Sequence, residues 1–254
     1  MLYGLYLSAA GLQAQQYRQD VMANNLANAD TVGFKRDFAQ TMARANAAVE
    51  DPTLARFRAP VAGDMPGGTF VTPTVIDLTQ GARRATGSEM DAAIDGEGFF
   101  LVQNAQNQRF LTRDGRFVIN QDSNLALAGT GSLVLSAEGQ PIKLNPDLKF
   151  QISTRGEISQ AGNTVAQLAV MRVDSPLDLE KRGSDLMAVR NPGSMKPATT
   201  ATKIMQGYVE ESDVDPMTEM VQMMDGQRVY EANARMISYQ DTTLQELNQV
   251  GRVA

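Results

Sequence analysis

The sequence contains no cysteine, histidine or tryptophan among its 254 residues. Without cysteine the chain has no disulfide bond, no thiolate nucleophile and no thiolate metal ligand. Without histidine it lacks the commonest general base and the commonest metal ligand of proteins. Serine, lysine and carboxylate chemistry stay open, but these absences argue against an enzyme. We therefore predict no catalytic residues, no metal site and no cofactor.

Long apolar runs are also missing, and no stretch of about 20 apolar residues could span a bilayer as a helix. The first ten residues are apolar, but they carry no basic residue and glutamines soon follow them, unlike a secretory signal. The net charge of −6 argues against a partner whose phosphates must be neutralised. We expect a mature N-terminus, no membrane insertion and no nucleic-acid partner.

Residues 3–28 have the pattern of a helix. Leu5, Leu12 and Leu26 keep a seven-residue phase along it. Three asparagines crowd its end and lower the helix propensity there: Asn24, Asn25 and Asn28. Their amides can bond neighbouring backbone in a crowded interface, which fixes register at some cost in stability.

A second helix is predicted near the C-terminus. Asp215 can cap it, and Pro216 suits its first position. The pattern continues for about 35 residues, or roughly 50 Å at 1.5 Å per residue. Four apolar residues are spaced by seven, as in the seam of a coiled coil: Met223, Tyr230, Ile237 and Leu244.

Four methionines lie in the first part of this helix: Met217, Met220, Met223 and Met224. We interpret them as ordinary core residues. Because methionine packs adaptably, an interface that meets several different neighbours is the alternative interpretation.

The middle of the chain changes in texture. Residues 37–74 lack a clear period and contain several Pro and Gly residues, so we predict an extended linker, with a short helix near residues 38–49. From residue 75 to 206, short apolar runs such as 98–102 alternate with turn pairs such as Asp114-Gly115. This pattern predicts a compact, mainly antiparallel β domain. The predicted fold class is therefore α+β, with long terminal helices that form a coiled-coil-like domain.

Carboxylates near residue 95 offer the only enzyme hypothesis that we retain. Asp91, Asp95 and Glu97 could supply acid–base chemistry, but Gly96 and Gly98 lead into a strand, and the spacing does not fit a calcium loop. A solvated turn is the interpretation we prefer. A peptidoglycan-acting enzyme that uses Asp91 or Asp95 is kept as an alternative.

The stretch from Asp20 to Arg36 closely resembles the N-terminal signature of flagellar rod and hook proteins. Further stretches resemble this family in the same order along the chain: residues 77–81, 91–100, 109–117, 207–214 and 219–233. Within the family, the chain is most similar to the proximal rod protein that adjoins the distal rod. A distal rod protein and a hook-type axial protein are the alternatives.

The resemblance implies a structural subunit of the basal-body rod, with residues 1–36 and 207–254 in an inner helical tube and residues 75–206 in an outer β domain. It also implies export through the flagellar type III apparatus without a cleaved signal, and assembly in the periplasm. The implied partners are further copies of the chain and homologous rod and hook proteins, together with the surrounding rings and the export apparatus.

We expect the assembly interface to use apolar and amide residues of both helices. They are Leu5, Leu12, Asn24, Asn25, Leu26, Asn28, Met220, Met223, Tyr230, Ile237 and Leu244.

Overall fold

A computed structural model describes residues 2–45, 67–183, 185–199 and 201–250. Residues 46–66 of the predicted linker and residues 251–254 of the predicted helical domain lie outside this range. The chain divides into two compact units that alternate along the sequence. The helical unit comprises Met1–Leu26, Asp37–Val75 and Asp215–Ala254, and the β unit comprises Ala27–Arg36 and Ile76–Val214.

Two α-helices occur among the described residues. Helix α1 spans Leu2–Ala27, and helix α2 spans Pro216–Val250. The prediction of a C-terminal helix that begins at Pro216 and runs for about 35 residues is confirmed, since α2 has 35 residues. Helix α1 ends before a turn in which Thr31 N–H donates to the Asn28 carbonyl at 3.1 Å.

The two helices face one another through glycine and amide residues. A methyl group added to Gly4 would lie 2.8 Å from Gln240 Nε2, and one added to Gly11 would lie 3.4 Å from Asn233 Nδ2. One added to Gly226 would lie 2.4 Å from Gln15 Nε2. Because residue numbers rise along α1 as they fall along α2, the helices run antiparallel.

The expected coiled-coil-like domain is therefore wrong. A coiled coil needs apolar residues at the facing positions of both helices. At the three facing positions given above, the side chains that meet are amides packed onto glycine. The seven-residue spacing of Met223 to Leu244 was real, but spacing alone does not show which residues of the opposite helix lie across from it.

The expected extended linker is also partly wrong. Strands β1 (Asp37–Ala43) and β2 (Thr69–Ile76) pair as a two-stranded sheet. Arg44 N–H donates to the Gly68 carbonyl at 2.7 Å, and the Thr72 hydroxyl donates to the Gln40 carbonyl at 3.1 Å. These contacts make the pair antiparallel. The short helix expected near residues 38–49 is absent over residues 38–45, and its remainder lies outside the described range.

The β unit contains short strands that pair in antiparallel fashion throughout its described part. Their bounds are β3 Arg83–Ala85, β4 Ala92–Asp95, β5 Phe99–Gln103, β6 Arg109–Thr112, β7 Phe117–Ile119, β8 Leu125–Leu127, β9 Leu133–Val134, β10 Phe150–Ile152, β11 Glu157–Gln160, β12 Asn163–Gln167, β13 Val170–Val173, β14 Leu179–Lys181, β15 Met187–Val189, β16 Met195–Pro197, β17 Lys203–Gln206 and β18 Tyr208–Glu210.

The largest sheet is centred on β5. Its strand order is β14-β15-β6-β5-β9-β8-β7, and β13 also pairs with β5 and with β16. A second sheet has the order β10-β11-β12, and β17 and β18 pair with β4 and β3 respectively. The last two pairings join the end of the β unit to the beginning of its long segment.

The core of the β unit consists of aliphatic and aromatic side chains. The rings of Phe100 and Phe117 meet edge to face with centroids 5.2 Å apart, and Leu111, Leu125 and Ile158 are fully buried. Edge-to-face packing adds to the stabilisation that comes from removing apolar area from water. The β unit thus has a core of its own.

Candidate assembly surfaces

Helix α2 begins with a side-chain cap. Asp215 Oδ1 accepts a hydrogen bond from Met217 N–H at 3.1 Å, and Oδ2 accepts one from the Thr218 hydroxyl at 2.6 Å. The Thr218 hydroxyl, followed by the Met217 amide, holds the pKa of Asp215 below its usual range. The carboxylate also lies at the positive end of the helix dipole, so this end of α2 is well defined.

One stripe of α2 is covered within the helical unit. Glu219 is buried, and Met223, Ile237 and Leu244 are half-buried. Tyr230, the remaining member of the predicted seam, is 37% exposed. The structure therefore covers these predicted residues only in part.

Other faces of α2 leave large apolar side chains at the surface. The exposed ones are Met217, Met220, Val221, Met224, Val229, Met236, Tyr239 and Leu247. At 3.6 residues per turn, the first four point away from the covered stripe. The interpretation of the methionines as core is wrong within the subunit for Met217, Met220 and Met224, which are 67%, 41% and 57% exposed.

The predicted leucines of α1 are half-buried. Leu5, Leu12 and Leu26 are partly covered, whereas the buried positions of this helix among residues 4–27 are Ala14, Gln15 and Asn25. Two of these three are amides. The leucine phase in the sequence therefore does not mark the best-buried face of α1.

The three predicted asparagines have different environments. Asn25 is 1% exposed; its amide donates to the Asp37 carbonyl at 2.9 Å, and its Oδ1 accepts from Asp37 N–H at 3.0 Å. Asn28 Oδ1 accepts from the Thr31 hydroxyl at 3.2 Å, and Asn24 is exposed. Asn25 thus ties the end of α1 to the start of β1, and the role of the asparagines between subunits stays a prediction.

The two-stranded sheet of β1 and β2 has a half-buried face and an apolar exposed face. On the half-buried face, Arg18 donates to the Thr41 hydroxyl at 2.7 Å. On the other face Phe38, Met42 and Phe70 are 41%, 55% and 45% exposed. The sequence analysis assigned no role to these side chains, because the linker has no clear period.

Three buried charged residues of the β unit were not singled out as site residues. Lys35 and Arg113 both contact the Glu210 carboxylate, at 2.5 Å and 2.7 Å. Each lies in a stretch that resembles the rod and hook family. Glu210 lies 175 residues from Lys35 and 97 residues from Arg113, so no local spacing could have connected them.

Asp213 is a further carboxylate of the same region. Its Oδ1 accepts from Arg36 N–H at 2.8 Å, and its Oδ2 is buried without a hydrogen-bond partner among the described residues. Burial raises the pKa of Asp213 above its usual range, and the nearby Asp77 carboxylate adds to this, whereas the Arg36 amide and Lys35 oppose it.

The residues of the enzyme hypothesis have structural partners. The Asp95 carboxylate forms an ion pair with Arg83, and the backbone of Asp91 pairs with that of Arg116 in a single antiparallel β-bridge. In the described part of the chain, no three acidic side chains are grouped so that they could hold a metal ion.

Comparison with known proteins places these elements in a family. The N-terminal region, residues 5–35, matches the model described as flagella basal body rod protein, and residues 205–250 match the flagellar basal body rod FlgEFG protein C-terminal model. Residues 93–160 match the flagellar hook protein FlgE/F/G D1 domain model. The chain is 32% identical to the flagellar basal-body rod protein FlgG of Buchnera aphidicola subsp. Schizaphis graminum, over 98% of this chain and 100% of that protein. The chain belongs to the flagellar basal-body rod protein family.

Both FlgF and FlgG proteins of this family are similar to the chain. It is 33% identical to the flagellar basal-body rod protein FlgF of Caulobacter vibrioides, over 92% of this chain and 91% of that protein. It is 32% identical to FlgG of Bacillus subtilis, over 97% and 98% of the two chains. The resemblance to the rod and hook family is confirmed, and the identities leave the choice between its members open.

The matched regions of this rod protein correspond to its structural elements. The N-terminal match covers most of α1 and continues through Lys35, and the C-terminal match covers β18 and α2. Neither described helix combines the length and the apolar character needed to cross a membrane.

Proposed function

We propose that this chain is a structural subunit of the flagellar basal-body rod that polymerises through α1 and α2 into the axial shaft and its export channel. Membership of the rod family supports the structural role. The partners are further copies of the chain and homologous axial proteins. The chain reaches the periplasm through the type III apparatus without a cleaved signal.

The observation that carries this proposal is the exposed apolar surface of α2. The helix is 35 residues long, and its contacts in the helical unit cover one stripe only. Met217, Met220 and Met224 remain exposed on another side. Contiguous exposed apolar patches are uncommon on soluble monomers and mark interaction sites. In a heterologous polymer each copy can cover such a patch with a different surface of the next copy.

The predicted interface residues fall into two classes in this proposal. Met220 and Tyr230 are exposed and contact neighbouring copies directly. The half-buried ones hold α1 and α2 together in the single subunit: Leu5, Leu12, Leu26, Met223, Ile237 and Leu244. Asn24, Asn25 and Asn28 fix the end of α1.

Substitution of an exposed methionine tests the proposal. Met220→Asp places a charge in the interface while leaving the covered stripe of α2 unchanged, so we expect it to abolish rod formation. Leu177→Asp is the matched control, because Leu177 is 64% exposed on the β unit. The measurement is electron microscopy of basal bodies from cells whose own copy of the gene is replaced by each variant. Normal rods from Met220→Asp, or equal loss of rods from both variants, would contradict assembly through this face.

The position within the rod is a second part of the proposal. We place the chain in the proximal rod, next to the distal rod, because its linker is short for a distal rod protein and its β region is small for a hook protein. Complementation of strains that lack either the proximal or the distal rod protein separates the alternatives. Rescue of only the strain without the distal protein would overturn the proximal assignment.

A further inference from the structure

Lys35, Arg113 and Glu210 form a charged cluster inside the β unit. Their side chains are 1%, 3% and 0% exposed. Lys35 Nζ donates to Glu210 Oε1 at 2.5 Å, and an Arg113 guanidinium nitrogen donates to Oε2 at 2.7 Å. Both oxygens of the carboxylate are therefore paired with cations and closed to solvent. The cluster therefore offers no free acid or base to a substrate. Its contacts with several backbone segments indicate a structural role.

The remaining hydrogen bonds of the cluster reach backbone from separate parts of the β unit. Lys35 Nζ also donates to the Thr79 carbonyl at 2.6 Å, and Gly81 N–H donates to Glu210 Oε1 at 3.1 Å. Arg113 donates to the Gly96 carbonyl at 2.8 Å. One carboxylate thus holds together backbone near residues 35, 80, 96 and 113.

The short segment that carries Lys35 is attached by several further contacts. Gly33 N–H donates to the Glu210 carbonyl at 2.8 Å, and Phe34 is 1% exposed. Lys181 Nζ lies 3.7 Å from the centroid of the Phe34 ring and donates to the Lys35 carbonyl at 2.5 Å. Residues 27–36 are therefore integral to the β unit, although a helix of the other unit directly precedes them.

These contacts occur where the chain enters and leaves the β unit. The β unit consists of residues 27–36 and 76–214, so Arg36, Asp77 and Asp213 lie at or beside its ends. Asp77 N–H donates to the Arg36 carbonyl at 2.8 Å, and Arg36 N–H donates to Asp213 Oδ1 at 2.8 Å. Three of the four points at which the backbone crosses between units are thus joined by direct hydrogen bonds within the β unit.

Buried ion pairs contribute little net stability compared with apolar side chains of similar volume, but loss of one partner leaves an uncompensated buried charge. Removal of any one member of such a cluster is therefore expected to destabilise the segments that it connects. The neighbouring pair of Arg84 and Glu211 is different, since these side chains are 57% and 45% exposed. Exposed pairs of that kind contribute little.

We propose that Lys35, Arg113 and Glu210 form an ionic lock that joins the ends of the β unit and keeps it closed while α1 and α2 change their contacts during assembly. The inference rests on the proposed function for the assembly step. The lock separates the two units energetically: rearrangement of the helices stops at residues 27–36 and 207–214 and does not propagate into the strands.

Amide hydrogen exchange on the purified full-length chain tests the lock, with mass spectrometry of peptides from residues 27–36, 76–81 and 207–214. In the unsubstituted chain we expect these peptides to exchange as slowly as β5 and β6, whether or not α1 and α2 are protected. Glu210→Gln should speed their exchange by about 100-fold or more, because two buried cations lose their counter-ion. Glu211→Gln is the matched control one residue away and should leave the exchange unchanged.

A second variant keeps the test decisive if Glu210→Gln does not fold. Lys35→Met retains the pair of Arg113 and Glu210, and should release residues 27–36 while β5 and β6 stay protected. The proposal is overturned if the three peptides exchange together with α1 and α2 in the unsubstituted chain. It is also overturned if Lys35→Met, or a folded Glu210→Gln, exchanges like Glu211→Gln. Because exchange is measured on the monomer, failure of rod assembly would leave this result standing, and the two proposals can fail separately.

Discussion

The two units of this rod protein differ in which side chains they bury and which they expose. The β unit buries an apolar core around Phe100 and Phe117, and the charges that it buries at Lys35, Arg113 and Glu210 are paired. The helical unit places amides against glycines between α1 and α2 and leaves methionines at the surface. Apolar burial is the main source of folding free energy, so the first unit is equipped to fold alone. The second exposes apolar side chains that a partner can cover.

This contrast explains how one chain can serve as a polymer subunit. A unit with a buried apolar core is stable without a neighbour, whereas a helix that exposes many apolar residues is stabilised when a second copy covers them. Glycine and amide contacts also fix a register without committing the helices to a tight apolar seam. The division of roles predicts different responses to the same substitution in the two units.

The largest effect is expected for leucine-to-alanine changes. Leu111 in β6 is fully buried, so Leu111→Ala should lower the free energy of unfolding of the β unit by about 3 kcal/mol, or more if the cavity does not collapse. Leu244→Ala on α2 removes the same atoms from a half-buried site and should cost the monomer less than about 1 kcal/mol. Urea unfolding of the purified monomer, followed by circular dichroism, measures both. Equal losses would contradict the contrast between the units.

The glycine-to-alanine changes at Gly33 of the β unit and Gly11 of the helical unit should differ in sign. Gly33 has φ of 72°, and a methyl group there would lie 2.4 Å from the Asp114 backbone nitrogen. Gly33→Ala should therefore cost about 2 kcal/mol or more, from the left-handed conformation and the clash. The methyl group of Gly11→Ala meets the Asn233 amide, with Nδ2 at 3.4 Å, and the helix gains propensity worth up to about 1 kcal/mol.

Thermal unfolding monitored by circular dichroism separates these two outcomes. Gly162 provides a further control, because it has φ of 84° but no atom within 4 Å of an added methyl group. Gly162→Ala should show the conformational cost alone. If Gly33→Ala were no worse than Gly162→Ala, close packing of residues 33–36 onto Arg113 and Asp114 would be refuted.

A smaller, pH-dependent effect is expected at Asp213. Its pKa is raised by burial, so the folded chain binds this proton more tightly than the unfolded chain. The resulting stability is present below the ordinary value of 3.8 and is lost as the pH rises through the raised pKa. Asp213→Asn keeps an acceptor for Arg36 N–H but no charge, so its stability relative to the unsubstituted chain should increase with pH.

Asp174 gives the opposite control. A hydrogen bond from Lys196 lowers the pKa of Asp174, so its contribution is present at neutral pH and disappears as the pH falls. Asp174→Asn should therefore lose stability slightly at neutral pH. Denaturation midpoints across the acid range measure both variants. A constant difference between Asp213→Asn and the unsubstituted chain would show that burial does not perturb this carboxylate.

The local elements could be predicted because their signals are local. The proline at 216 and the acid before it marked the start of α2, and the runs at residues 98–102 and 109–112 marked β5 and β6. The wrong predictions concerned contacts across the chain. Leu5 and Met223 have coiled-coil spacing, but the opposing residues at Gly4 and Gly11 decided how the helices meet.

The pairing of β1 with β2 and the buried charged cluster could not be predicted either, because they too depend on contacts between distant parts of the chain. Arg44 and Gly68 meet across residues that show no periodic pattern, and Lys35 and Glu210 look like ordinary surface residues in their local sequence. A buried lysine is recognisable only when its carboxylate is known. Such pairs are set by the topology of the fold and cannot be recognised from the spacing of residues in the sequence.

The separation of Lys35 and Glu210 by 175 residues also sets an order of events during folding. When the chain is synthesised from its N-terminus, β5 and β6 can form early, and Thr79 can already accept a hydrogen bond from Lys35. The buried charge of Lys35 nevertheless has no counter-ion until Glu210 has followed. Contacts between distant residues form slowly, because the intervening chain must first give up its freedom. The step that completes the β unit therefore comes near the end, and an unfinished chain stays open almost until its last helix.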